Sequence, residues 1–150
     1  IVEPAAEEFV GIFRQVQETF HMMEAERQAE SLDDFTRSGM RQMVDYMYAH
    51  FEEFQLLVNS AYGTRFQNFV ERLVEIETEY TYQFMEATGL KLPDGKAITK
   101  DFMHIMNKAL FESFFEVVRH DMSKEDATEY VQMLEEYHSA GWSIIYQKCR

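Results

Sequence analysis

Only two prolines, Pro4 and Pro93, and six glycines punctuate these 150 residues. Chains built of many short strands use both residue types at their frequent turns. Their scarcity argues against an all-β architecture and for long helices. Hydrophobic residues make up 46% and aromatics 15% of the chain. That is enough apolar mass for one domain of ordinary size with a substantial core.

Helical periodicity predicts six segments in an all-α fold. The first runs roughly from Pro4 to Ala29, with Phe9, Phe13, Val16 and Phe20 on one stripe. Ser31-Leu-Asp-Asp34 has the form of a capping box and is expected to open the second helix, whose face carries Met40, Met43, Met47 and Phe51. A turn near His50–Glu53 leads into a short third helix through Phe54, Leu57, Val58 and Ala61, ended by Gly63. Thr64-Arg-Phe-Gln67 opens the fourth, with Phe66, Phe69, Leu73, Ile76, Tyr80 and Phe84 on one face; Gly89 stops it. KLPDGK at 91–96 reads as a loop.

The fifth segment, from about Thr99 to His120, differs from the others. Its polar row is narrow (His104, Lys108, Glu112, Glu116), and most of its remaining circumference is apolar. Such a helix is buried on more than one side. Ser123-Lys-Glu-Asp126 caps a sixth helix about 40 Å long. Its stripe is Ala127, Tyr130, Val131, Leu134, Tyr137, His138, Gly141, Trp142 and Ile145.

Charge narrows the function classes. The net charge is −13, and residues 1–90 hold 17 acidic side chains against six arginines and no lysine. A phosphate-binding surface needs Lys and Arg, so this segment is not expected to bind nucleic acid itself. The single cysteine, Cys149, permits no internal disulfide and suits a reducing compartment. No apolar run reaches the ~18 residues of a membrane span. The opening IVEPAAEEF, without a start methionine, is expected to be that of a fragment.

Catalytic motifs are absent: there is no GxSxG, HExxH, P-loop or GxGxxG. Glu18-Thr-Phe-His21 and Glu135-Glu-Tyr-His138 repeat the Glu-x-x-His spacing of di-iron carboxylate bundles, with Glu75, Glu79, Glu112 and Glu116 as available partners. A metal-dependent bundle enzyme is therefore one alternative function, and a ligand-free helical interaction module is another. Against the metal reading, Glu18 sits off the apolar stripe of its helix, and chance pairs are expected among so many glutamates. The residues assign no catalytic or metal site and no cofactor. Ten methionines, several beside Phe and Tyr on apolar faces, suit either plain packing or a pocket that adapts to an apolar ligand.

Two long stretches, EEFQLLVNSAYGTRFQNFVERLVEIETEYTYQFME (52–86) and FESFFEVVRHDMSKEDATEYVQMLEEYHSAGWSIIY (111–146), resemble the regulatory domain of TetR-family transcriptional regulators. The matching elements are Ala61-Tyr62-Gly63-Thr64, Leu73-Val74-Glu75-Ile76-Glu77, Val118-Arg119-His120-Asp121-Met122 and Ala140-Gly141-Trp142. The resemblance implies a non-enzymatic effector-binding and dimerisation domain of a bacterial cytoplasmic repressor. Residues 1–150 would form it, Ile1 falling near the start of the family's fourth helix. The DNA-binding helix-turn-helix would lie outside this chain.

It further implies a pocket for a small, largely apolar effector, walled by Phe13, Phe20, Met43, Met47, Leu57, Phe69, Leu73, Met103, Met106, Leu110 and Phe114. The last two helices would pair with their copies as the four-helix bundle of a homodimer. That interface would comprise Phe115, Val118, Tyr130, Leu134, Tyr137, Gly141, Trp142 and Ile145. Gly141 costs a helix about 1 kcal/mol relative to alanine. A close helix–helix approach over Ser139-Ala140-Gly141, rimmed by Trp142, would offset it.

Overall fold

The computed structural model describes residues 2–60 and 63–149. Ile1, Ala61 and Tyr62, all invoked by the family resemblance, lie outside the described residues. The rest is all-α, with no strand among the described residues: α1 (Val2–His21), α2 (Ala25–Ala49), α3 (Phe51–Val58), α4 (Thr64–Thr88), α5 (Lys100–Arg119) and α6 (Lys124–Lys148). Helix α1 packs on α2, α3 and α4; α5 lies against α3, α4 and α6; α6 runs along α2 and α5.

Several predicted termini stand where the chemistry placed them. Thr99 Oγ1 accepts from the Phe102 amide and Ser123 Oγ from the Asp126 amide, satisfying donors that the first turns of α5 and α6 leave open. Gly89, at φ 71°, ends α4 in a Schellman motif: its amide bonds Glu86 O and the Leu90 amide bonds Met85 O. Asp121 adopts the same left-handed conformation, φ 51°, after α5, with Met122 N bonded to Val117 O.

The boundary between the first two helices is corrected. Helix α1 stops at His21, not Ala29, and Ser31 lies inside α2, its hydroxyl donating to Arg27 O at 2.6 Å. The break is made by Gln28, a buried side chain on α2. Its Nε2 reaches back to Met23 O (2.8 Å) and His21 O (3.4 Å), capping carbonyls that the end of α1 leaves open. Gly63 is also reassigned: at φ 66° it precedes α4, and α3 ends at Val58.

The core is divided. One cluster centres on Phe9, Phe54, Phe69, Phe114 and Phe115, whose rings meet at centroid distances of 5.1–6.3 Å. A smaller one holds Phe20, Phe84, Met85, Ile98 and Met103, with Leu32, Phe35, Trp142, Ile145 and Tyr146 against it. Five helices pass from one cluster to the other. Each does so through a polar side chain at an inward position: Gln17 on α1, Thr36 on α2, Glu77 on α4, Asn107 on α5 and Glu135 on α6. Polar groups at one level keep apolar side chains from closing the gap, and the two cores stay separate.

Candidate functional site

A two-lobed cavity occupies that polar level. The inner lobe, about 110 Å³, lies among α1, α2, α4 and α5 and is lined by Phe13, Phe20, Phe35, Met43, Tyr80 and Phe111. The outer lobe, about 380 Å³, lies among α2, α4, α5 and α6, with Asp33, Asn107, Glu135, His138 and Trp142 on its wall. Leu32, Thr36, Met40, Glu77, Thr81, Phe84, Leu110 and Tyr146 border both lobes. Their combined scale suits a small organic ligand.

Glu77 stands at the seam. Its Oε2 accepts from Gln17 Nε2 at 2.6 Å, and Thr81 Oγ1 lies 3.5 Å from Oε1 while donating its stronger bond, 2.7 Å, to the Glu77 carbonyl. Glu77 is half-buried, and one short hydrogen bond compensates a carboxylate drawn away from water poorly. Burial accordingly pushes the Glu77 carboxyl up from 4.5 to about 7, against the lowering effect of Thr81 and Gln17. Burial lowers the imidazoles of His21 and His138 below the ordinary histidine value. Burial, and then the Glu77 charge, raises the Tyr146 phenol. Among the described residues, no lysine or arginine lines either lobe.

Two further inward polar groups are also hydrogen-bonded. Asn107 Nδ2 donates to Thr78 Oγ1 at 3.0 Å, and Ser139 Oγ donates to Glu135 Oε1 at 2.8 Å. Glu135 also borders a shallow groove with Arg37 and Arg41 on α2.

Of the pocket residues expected from the sequence, Phe13, Phe20, Met43 and Leu110 line the cavity. Met47, Leu57, Phe69, Leu73 and Phe114 lie in the larger core instead, and Met103 is buried in the smaller one. Met106 is half-buried on α5 and lines neither lobe. Those core residues fill their own packing sites, because the inward stripes of α4 and α5 interlock above the polar level. Sequence reasoning missed Glu77, Gln17, Met40, Tyr80 and Tyr146. The available signal was a polar residue at an inward position, as in Leu73–Glu77–Tyr80–Phe84 and Val131–Glu135–His138–Trp142.

The expected interface residues divide as well. Phe115 and Val118 are corrected: at 0% and 1% exposure they belong to the chain's own core, because α3, α4 and α6 pack against α5 and the Phe9 ring of α1 reaches Phe115 at 5.6 Å. Tyr130 is half-buried and its hydroxyl donates to Ser113 O, tying α6 to α5. Leu134 and Ile145 pack against the two cores, and Trp142 walls the outer lobe. Only Tyr137, 77% exposed, and Gly141 face outward. Met133, Ile144, Ile105 and Phe102 accompany them as an exposed apolar face on α5 and α6, and Phe102 meets the Trp142 ring edge-on at 6.1 Å.

The polar row of α5 has a structural role. His104 Nε2 and Lys108 Nζ converge on Glu71 of α4 at 3.0 and 3.9 Å. The Glu-x-x-His pairs do not converge: Glu18, Glu75, Glu79 and Glu112 are exposed, whereas Glu135 is buried. Among the described residues no group of three or more His, Cys, Asp or Glu is arranged to hold a metal ion. No helix among them is long and apolar enough to cross a membrane. Comparison with protein-family models, with curated proteins and with solved structures gives no match for this chain.

Proposed function

We propose that the chain is the effector-sensing and dimerisation domain of a bacterial, cytoplasmic TetR-family transcriptional regulator, with DNA read by a helix-turn-helix segment outside it. The observation that carries this reading is the cavity, which reaches through five helices and has α1 as its inner wall. A ligand in the inner lobe pushes on Phe13, Gln17 and Phe20. It thereby shifts α1 against α2 and α4. In a regulator, α1 connects to the DNA-reading head, and a change in head spacing alters the fit to half-sites about one helical turn apart. A ligand-free interaction module would have no use for a cavity kept open by five polar residues.

The outward apolar face of α5 and α6 supplies the homodimer surface. Exposed apolar patches of this kind mark association sites on otherwise soluble proteins. Light scattering coupled to size exclusion tests the reading. A dimer is expected at micromolar concentration, and Tyr137→Glu should give a monomer of unchanged helicity. A wild-type chain that stays strictly monomeric overturns it.

A further inference from the structure

We infer that the cavity takes a lipophilic cation, an amine or quaternary ammonium on an aromatic or aliphatic body, with Glu77 as its counter-ion. The inference rests on reading the cavity as an effector site and names the chemistry of that effector. Three observations carry it.

First, the charge inside the cavity is one-sided. Glu77, Glu135 and Asp33 line the lobes, and no lysine or arginine among the described residues does. Among the described residues, the polar groups that line the lobes with Glu77 add no fixed positive charge: His21 and Gln17 from α1, Asp33 from α2, Tyr80 and Thr81 from α4, Asn107 from α5, and Glu135, His138 and Tyr146 from α6. Burial lowers both histidines, which favours their neutral forms. Arg37 and Arg41 share a separate small groove with Glu135, and Arg37 pairs with Asp34 at 3.6 Å; neither lines the lobes that Glu77 borders.

Second, the remaining walls are aromatic. Phe20, Phe35, Phe84, Tyr80, Tyr146 and Trp142 present faces or edges to the two lobes. Aromatic faces attract an organic cation more than its neutral analogue, and do so most strongly where water is excluded. An anionic or strongly polar ligand would meet like charge and apolar walls. Third, Glu77 has one short hydrogen bond for two carboxylate oxygens, so a cation at the seam supplies the compensation its burial lacks.

The pH dependence follows. A group held near 7 is largely protonated below that pH and ionised above it. Affinity for the cation therefore rises as pH climbs through about 7, and binding near neutrality releases a proton.

The test compares phenyltrimethylammonium with its neutral isostere tert-butylbenzene by ligand-observed NMR titration of the whole chain. The cation is expected to bind about tenfold more tightly at pH 8, with the advantage shrinking by pH 5.5. Glu77→Gln should remove the preference while retaining the neutral ligand. Equal or tighter binding of tert-butylbenzene by the wild-type chain overturns the cation inference and leaves the effector-pocket reading standing. A preference that survives Glu77→Gln removes Glu77 from the role. Binding of neither compound overturns the inference together with the pocket reading.

Discussion

Glu77 shows how much one position can carry. It occupies an inward place on α4 between Leu73 and Phe84, where its charged form is disfavoured. Its carboxyl is raised in the fold, so the native state holds a proton between about pH 4.5 and 7 that the unfolded chain has lost. Stability from this group therefore falls as pH rises across that window. A displacement from 4.5 to about 7 corresponds to about 3 kcal/mol. Glu77→Gln should accordingly stabilise the protein by up to about 3 kcal/mol at pH 8 and by almost nothing at pH 4.5. Urea unfolding at the two pH values measures it. A penalty of equal size at both would mean that the carboxylate is compensated after all. Gly141 is the opposite case. A Cβ built there meets nothing within 4 Å, so nothing inside this chain requires a glycine. Gly141→Ala should raise the melting temperature of the isolated chain through a helix-propensity gain of about 1 kcal/mol. Gly141→Leu should instead weaken self-association, seen as a higher dimer dissociation constant in sedimentation equilibrium.

At the scale of elements, helix existence was legible and some boundaries were not. Thr99, Ser123 and Gly89 act locally, through their own hydroxyl or backbone conformation, and their effect can be read from a few neighbouring letters. The end of α1 depends on Gln28, seven residues beyond His21, folding back from the next helix. No local pattern carries that. Instead Ser31 offered a capping signal that its i−4 bond to Arg27 O satisfies within the helix. Helix α5 was legible in kind, since its apolar circumference does indicate burial on several sides. Periodicity could not say that the burial lies within one chain for Phe115 and Val118 and is left open at Phe102 and Ile105. The same limit explains the pocket residues. Helical phase gives the inward direction, but whether an inward side chain meets a neighbour or a void depends on what the facing helix carries at that level.

Across the whole molecule, the five polar residues Gln17, Thr36, Glu77, Asn107 and Glu135 form a layer only after the helices are assembled. Each alone looks like an ordinary interruption of an apolar stripe. Together they divide the core, keep a chamber open and leave α6 with a distinct surface on either side. Trp142 lies on that divide. It walls the outer lobe, stacks on Tyr146 at 5.8 Å and touches Phe102 beside the exposed apolar face. As the chain's one tryptophan, it makes the emission spectrum a built-in gauge of both surfaces. Raising the protein concentration without ligand should shift the emission to shorter wavelength as the outer face becomes covered. Titrating a ligand at fixed concentration should change the intensity from within. The two signals should separate in Tyr137→Glu, which ought to lose the first and keep the second. No dye or label is needed to follow either event.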